Sequence, residues 1–161
     1  ASKRIFTEEL EGWVGDAERI LHLDFHTGLG KWGTYVLAAG GEVQDAERRA
    51  LASHFGDCVQ MLDPGGVLYE IRGEFGTWCK SRFPDRTYHA LLAEFGTYSI
   101  LRVLGALRKE NRATHWGDDA SQAEARKELL EVFAPASPSW RRLVTREGLQ
   151  IIRQGMELLS E

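Results

Sequence analysis

An imidazole at the end of a strand, beside a turn opened by glycine, can hold a metal ion. A carboxylate emerging from an apolar strand can move protons. The sequence offers one of each. His26 closes the run Leu21-His22-Leu23-Asp24-Phe25 and is followed by Thr27-Gly28-Leu29-Gly30. Neutral imidazole suits zinc, with its other ring nitrogen held by a carboxylate or a carbonyl. The competing reading is a histidine that only caps the turn by hydrogen bonding. Glu94 follows the apolar segment Ala90-Leu91-Leu92-Ala93, and burial of that kind raises a carboxyl pKa toward the range useful for general acid–base work. Its alternative is a Glu paired with an Arg at a sheet edge. If both residues serve one reaction, their side chains should meet in one cleft, about 4–8 Å apart.

The neighbours divide into helpers and bystanders. His22, Asp24 and His26 share one face of a strand, but positions i and i+4 lie about 13 Å apart there, too far for one metal. His22 is therefore read as structural, and Asp24 as a residue that orients His26 or bonds nearby backbone. Tyr69 and Arg72 follow the turn Gly65-Gly66. A phenol and a guanidinium on a loop can clamp a substrate carboxylate, or can simply be solvated. His54-x-x-Asp57 has ligand spacing but straddles Gly56 at a helix end. Gly28-Leu29-Gly30 lacks the third glycine of a dinucleotide fingerprint, and neither a P-loop nor a G-x-S-x-G motif occurs.

These residues need a scaffold, and periodicity predicts one. Strand alternation is read at 19–25, 33–38, 59–62 and 87–95, and helical spacing at 7–17, 43–55, 75–83, 99–112, 121–133 and 140–159. Thr7 is expected to cap the first helix. Leu101, Leu104, Leu107 and Arg108 fall in register on the fourth, and Trp116 and Trp140 are expected to anchor helix packing. Strands alternating with helices predict a single α/β domain over residues 1–161, three layers α/β/α around a mixed, mostly parallel sheet. Ligands of such sheets bind outside the carboxyl ends of strands, which is where His26 and Glu94 fall.

Composition excludes several classes. The chain has 161 residues, 43% hydrophobic, with 20 Lys+Arg against 24 Asp+Glu and a net charge of −4. That is enough apolar content for a core and the wrong sign for a phosphate-tracking nucleic-acid binder. No run approaches the roughly 18 apolar residues of a membrane span, and the start of the chain shows no apolar signal region. Cys58 and Cys79 form no CxxC motif and no disulfide framework, so a cytoplasmic setting with reduced thiols is the default, one Cys58–Cys79 bridge being the alternative.

The segment Leu23-Asp24-Phe25-His26-Thr27-Gly28-Leu29-Gly30 resembles the D-[LF]-H-T-G-L-G signature of a bacterial family of zinc carboxypeptidase-like proteins. Glu94-Phe95-Gly96-Thr97, Leu107-Arg108-Lys109-Glu110-Asn111-Arg112, His115-Trp116-Gly117 and Ser139-Trp140-Arg141 extend the likeness over nearly the whole chain. The resemblance implies that His26 is the downstream zinc ligand, Glu94 the general base, Tyr69 the loop tyrosine that contacts substrate and Arg72 a contact to the substrate carboxylate. The implied reaction is metal-assisted hydrolysis of a peptide or amide bond near a carboxylate.

One departure matters. The family's H-x-x-E zinc pair lies upstream of the matched region, and this sequence has none: its five histidines are followed three residues later by Phe25, Leu29, Asp57, Leu92 and Asp118. The resemblance therefore implies the C-terminal half of a catalytic domain, with weak zinc binding and no activity until a missing N-terminal segment or a partner chain supplies the other ligands. Two further readings stand beside it. One is a non-catalytic carboxylate-binding domain. The other is an interaction domain whose exposed sheet edge pairs with another chain. A half-length chain with a truncated sheet is also expected to associate into homo-oligomers.

Overall fold

The computed structural model describes residues 2–41, 43–61 and 74–160. Among these residues four strands, β1 (Arg19–Thr27), β2 (Tyr35–Ala39), β3 (Val59–Met61) and β4 (Thr87–Phe95), form one sheet in the order β1-β4-β2-β3. β1 pairs parallel with β4 and β2 parallel with β3, while β2 and β4 are antiparallel. The sheet is mixed and mostly parallel, as expected. Among the described residues six α-helices accompany it: α1 (Ser2–Val14), α2 (Asp45–Phe55), α3 (Phe75–Ser81), α4 (Ile100–Trp116), α5 (Asp119–Phe133) and α6 (Pro138–Ser160).

β4 is the sheet's organising strand. It is flanked on both sides, and from Tyr88 to Phe95 its residues are buried except for half-buried Leu92 and Glu94, which is why it reads as a nearly continuous apolar run. Side chains of a strand alternate between faces. Leu91, Ala93 and Phe95 point to the face covered by α2 and α6, where Leu37, Leu51 and Ile151 are fully buried. Tyr88 and Ala90 point to the other, packed with Leu10 of α1 and with Cys79 of α3. Cys58 and Cys79 are free thiols, and the alternative of a bridge between them does not hold.

Local chemistry explains the helix boundaries. The Glu74 carboxylate accepts from the Gly76 and Thr77 amides, 2.6 Å each, and starts α3. Asp118 does the same for α5 through Ser121 N at 2.9 Å. α6 begins at Pro138, whose missing N–H is no loss in a first turn. Thr7 does not cap α1. The helix starts five residues earlier, at Ser2, and the added turn is held by Phe6, which sits edge-on against Phe75 at 4.7 Å between centroids.

α4 also departs from expectation. Leu101, Leu104 and Leu107 are exposed, Leu101 to 79%. The helix buries Val103, Ala106 and Ala113 instead, small side chains that let it approach α5 closely. Periodicity found the helix but could not say which of two neighbouring apolar arcs would be covered. Trp116, at the end of α4, is exposed, whereas Trp140 is buried and donates its indole N–H to Gly96 O at 2.9 Å. At the N-terminal end of β4, buried His89 and half-buried Lys80 both bond Glu47, at 3.0 and 2.9 Å, tying α2 and α3 to the strand. Burial raises the Glu47 pKa, but these hydrogen bonds outweigh it and leave it lowered. Among the described residues no helix is long and apolar enough to cross a membrane.

Residues 28–34 form an arch from β1 to β2 over the end of β4. Gly28 N donates to Phe95 O at 3.1 Å, Gly33 N to Gly96 O at 3.1 Å, and Gly96 N to Thr34 O at 2.8 Å. A Cβ on Gly96 would stand 2.0 Å from Lys31 O, a backbone atom that cannot step aside. Gly96→Ala should therefore destabilise the fold by about 3 kcal/mol. Urea titration measures this, and a loss within experimental error of zero would show that the arch does not press on β4.

Candidate functional site

The β1–β4 ladder pairs His26 with Glu94 in register. Residues paired this way project to the same face, from strands about 4.8 Å apart. Both lie at the carboxyl ends of their strands, on the face shared with His22 and Asp24. His26 is exposed and Glu94 half-buried. The sheet thus brings together the imidazole and the carboxylate that the sequence singled out.

Each has one defined partner. His26 Nε2 lies 3.0 Å from Asp24 Oδ2, two residues back on the same strand. Donation of the Nε2 proton to Asp24 leaves Nδ1 as the ring's lone-pair donor. Glu94 Oε1 accepts from the backbone N–H of Leu29 at 2.8 Å. Among the described residues no arginine pairs with Glu94. The second oxygen, Oε2, has no partner among the described residues. Burial raises the Glu94 pKa, with the Leu29 amide and the nearby His26 partly opposing the shift.

His22 belongs to the packing, not to this pair. Its Nδ1 is 3.3 Å from the Tyr88 hydroxyl and its ring is edge-on to Phe75. His54 is also committed elsewhere, with Nδ1 3.0 Å from Ala50 O within its own helix. Tyr69 and Arg72 lie outside the described residues. Among the described residues no group of three or more His, Cys, Asp or Glu is arranged to hold a metal ion. The donor set that is present consists of one imidazole and its orienting carboxylate.

The Leu29 amide is the participant that sequence reading missed. Its signal is indirect: glycines on both sides of it mark a loop that can approach a strand end closely, but nothing in Leu29 itself says that its N–H faces a carboxylate.

The sequence profile of a family described as "Protein of unknown function (DUF2817)" matches residues 1–147. The match covers most of the chain, which belongs to that family. No curated protein and no solved structure matches it.

A raised folded-state pKa means that the folded protein holds the Glu94 proton more tightly than the unfolded chain does. The associated stability is full below the ordinary glutamate range and is lost as pH rises through the raised value. Glu94→Gln, neutral at every pH, should therefore raise Tm relative to the parent at about pH 7.5, and the gain should vanish near pH 4. Calorimetry at the two pH values checks this. A variant less stable than the parent at the higher pH would show that the carboxylate is stabilised, not penalised, in its site.

Proposed function

We propose that this chain supplies the general base and one metal ligand of a zinc-dependent, carboxypeptidase-like hydrolase that cleaves a peptide or amide bond next to a carboxylate. The observation that carries the reading is the pairing of His26 with Glu94 at two strand ends, on one face. The likeness of the segments around both residues to zinc carboxypeptidase-like proteins supports it. A cytoplasmic setting goes with this reading, since free thiols such as Cys58 and Cys79 stay reduced there.

Roles follow from chemistry. His26 would hold the metal through Nδ1, with Asp24 fixing the ring at Nε2. Bound zinc supplies Lewis acidity for the scissile carbonyl and lowers the pKa of a coordinated water. Glu94 Oε2 receives a proton from the attacking water and delivers it to the leaving amine. A carboxyl pKa raised by burial suits that two-way traffic better than an ordinary one, because the protonated form is an accessible intermediate. Leu29 N–H keeps Oε1 fixed while Oε2 works. Tyr69 and Arg72 are assigned to substrate by the resemblance alone.

One imidazole is short of the three protein ligands of a catalytic zinc site. The remaining ligands are assigned to an H-x-x-E segment from upstream sequence or from a partner chain. The same shortfall favours a second reading, a non-catalytic domain whose cleft binds small carboxylates without metal.

Two variants, each in the protein joined to an H-x-x-E-bearing segment, separate the readings. Glu94→Gln should lower kcat by about 10²–10⁴-fold with zinc content unchanged. Persistent turnover would remove Glu94 from the mechanism. His26→Ala should reduce zinc occupancy, read by metal analysis, and unchanged occupancy would remove His26 as a ligand. Binding of small carboxylates by the metal-free chain, with no hydrolysis in the joined protein, would establish the second reading instead.

A further inference from the structure

The α4–α5 helical hairpin reaches the sheet beside the arch. Thr27 Oγ1 donates to the Phe133 carbonyl at 2.6 Å, at the last residue of α5. The Phe133 ring lies against Gly28, where an added Cβ would stand 2.7 Å from ring carbon Cε1. Gly28 has φ of +140°, which L side chains rarely adopt. On its far side the Gly28 carbonyl accepts from the Thr97 hydroxyl at 3.2 Å. Gly28 is therefore seated between an aromatic ring and the end of β4. The next amide along the chain is Leu29 N–H, the one that holds Glu94 Oε1.

We propose that Phe133 is a positioning residue for Glu94: its ring and carbonyl fix Thr27 and Gly28, and so aim the Leu29 amide at the carboxylate. Phe133 touches no reacting atom. It packs with Val103, Ala106 and Val132 in the hairpin's own small core, so the hairpin's fold decides where the ring sits. The catalytic significance rests on the reading of Glu94 as general base, whereas the geometric coupling does not.

The test uses the full chain with two independent variants. Phe133→Leu keeps an apolar side chain but removes the flat ring that Gly28 lies on. Thr27→Val keeps the β-branched shape and removes the bond to the Phe133 carbonyl. In each, hydrogen exchange of the Leu29 amide should speed by about tenfold. The Glu94 carboxyl, followed by ¹³C NMR and assigned by its loss in Glu94→Gln, should titrate at higher pH, because the amide favouring its charged form is weakened while burial remains. In the joined enzyme kcat should fall with KM unchanged, the pattern of a lost transition-state interaction. Folded variants with a protected Leu29 amide and an unmoved Glu94 titration would overturn the proposal. If Phe133→Leu fails to fold, Thr27→Val decides alone. If the joined parent protein hydrolyses nothing, the hydrolase reading falls while exchange and titration still decide the coupling.

Discussion

In a parallel ladder two residues in register share a face and stand one strand spacing apart, and the nine-residue pairing of β1 with β4 imposes that relation on His26 and Glu94. The relation depends on register. A slip of one residue would send Glu94 to the opposite face, among Leu37, Leu51 and Ile151, and would bury its charge in the main core. The alternation of both strands forbids the slip. Leu21 and Leu23 on β1, with Leu91, Ala93 and Phe95 on β4, must all face α2 and α6. The apolar side of the sheet thereby fixes the geometry of the polar side.

Glu94 is held by opposed demands. Burial favours its neutral form, while the Leu29 amide and the neighbouring His26 favour the ion. A carboxyl group in that balance changes protonation state at small cost, which a group fully solvated or locked into an ion pair does not. The arch makes the balance possible. By crossing the end of β4 it brings a neutral backbone donor, the Leu29 N–H, to Glu94.

Much of this was legible in the sequence because it was carried by patterns of short period. Alternation located β1, and the apolar run Ala90-Leu91-Leu92-Ala93 located β4. Glycines marked the arch. Strand arithmetic separated His22 from His26, and His22 duly packs against Tyr88 and Phe75. What could not be read depends on contacts between distant segments. The pairing order of the strands, the outward turn of Leu101 and Leu104, and the seat that Phe133 makes for Gly28 all arise from tertiary packing, to which local spacing is blind. The early start of α1 is of the same kind, since Phe6 finds Phe75 only in the folded protein.

The sheet order β1-β4-β2 has a kinetic side. β1 and β2 are joined by the short arch, yet they are not neighbours: a strand-wide slot separates them, filled by a strand synthesised much later. Leu29 and Glu94, in contact across that slot, are 65 positions apart along the chain. The first two strands complete their ladders only with β4 between them, so closing the sheet depends on non-local pairing, of the sort that slows folding. His26 and Glu94 first meet at that step. Without the β1–β4 ladder the two side chains share no face, and the site exists only together with that central strand.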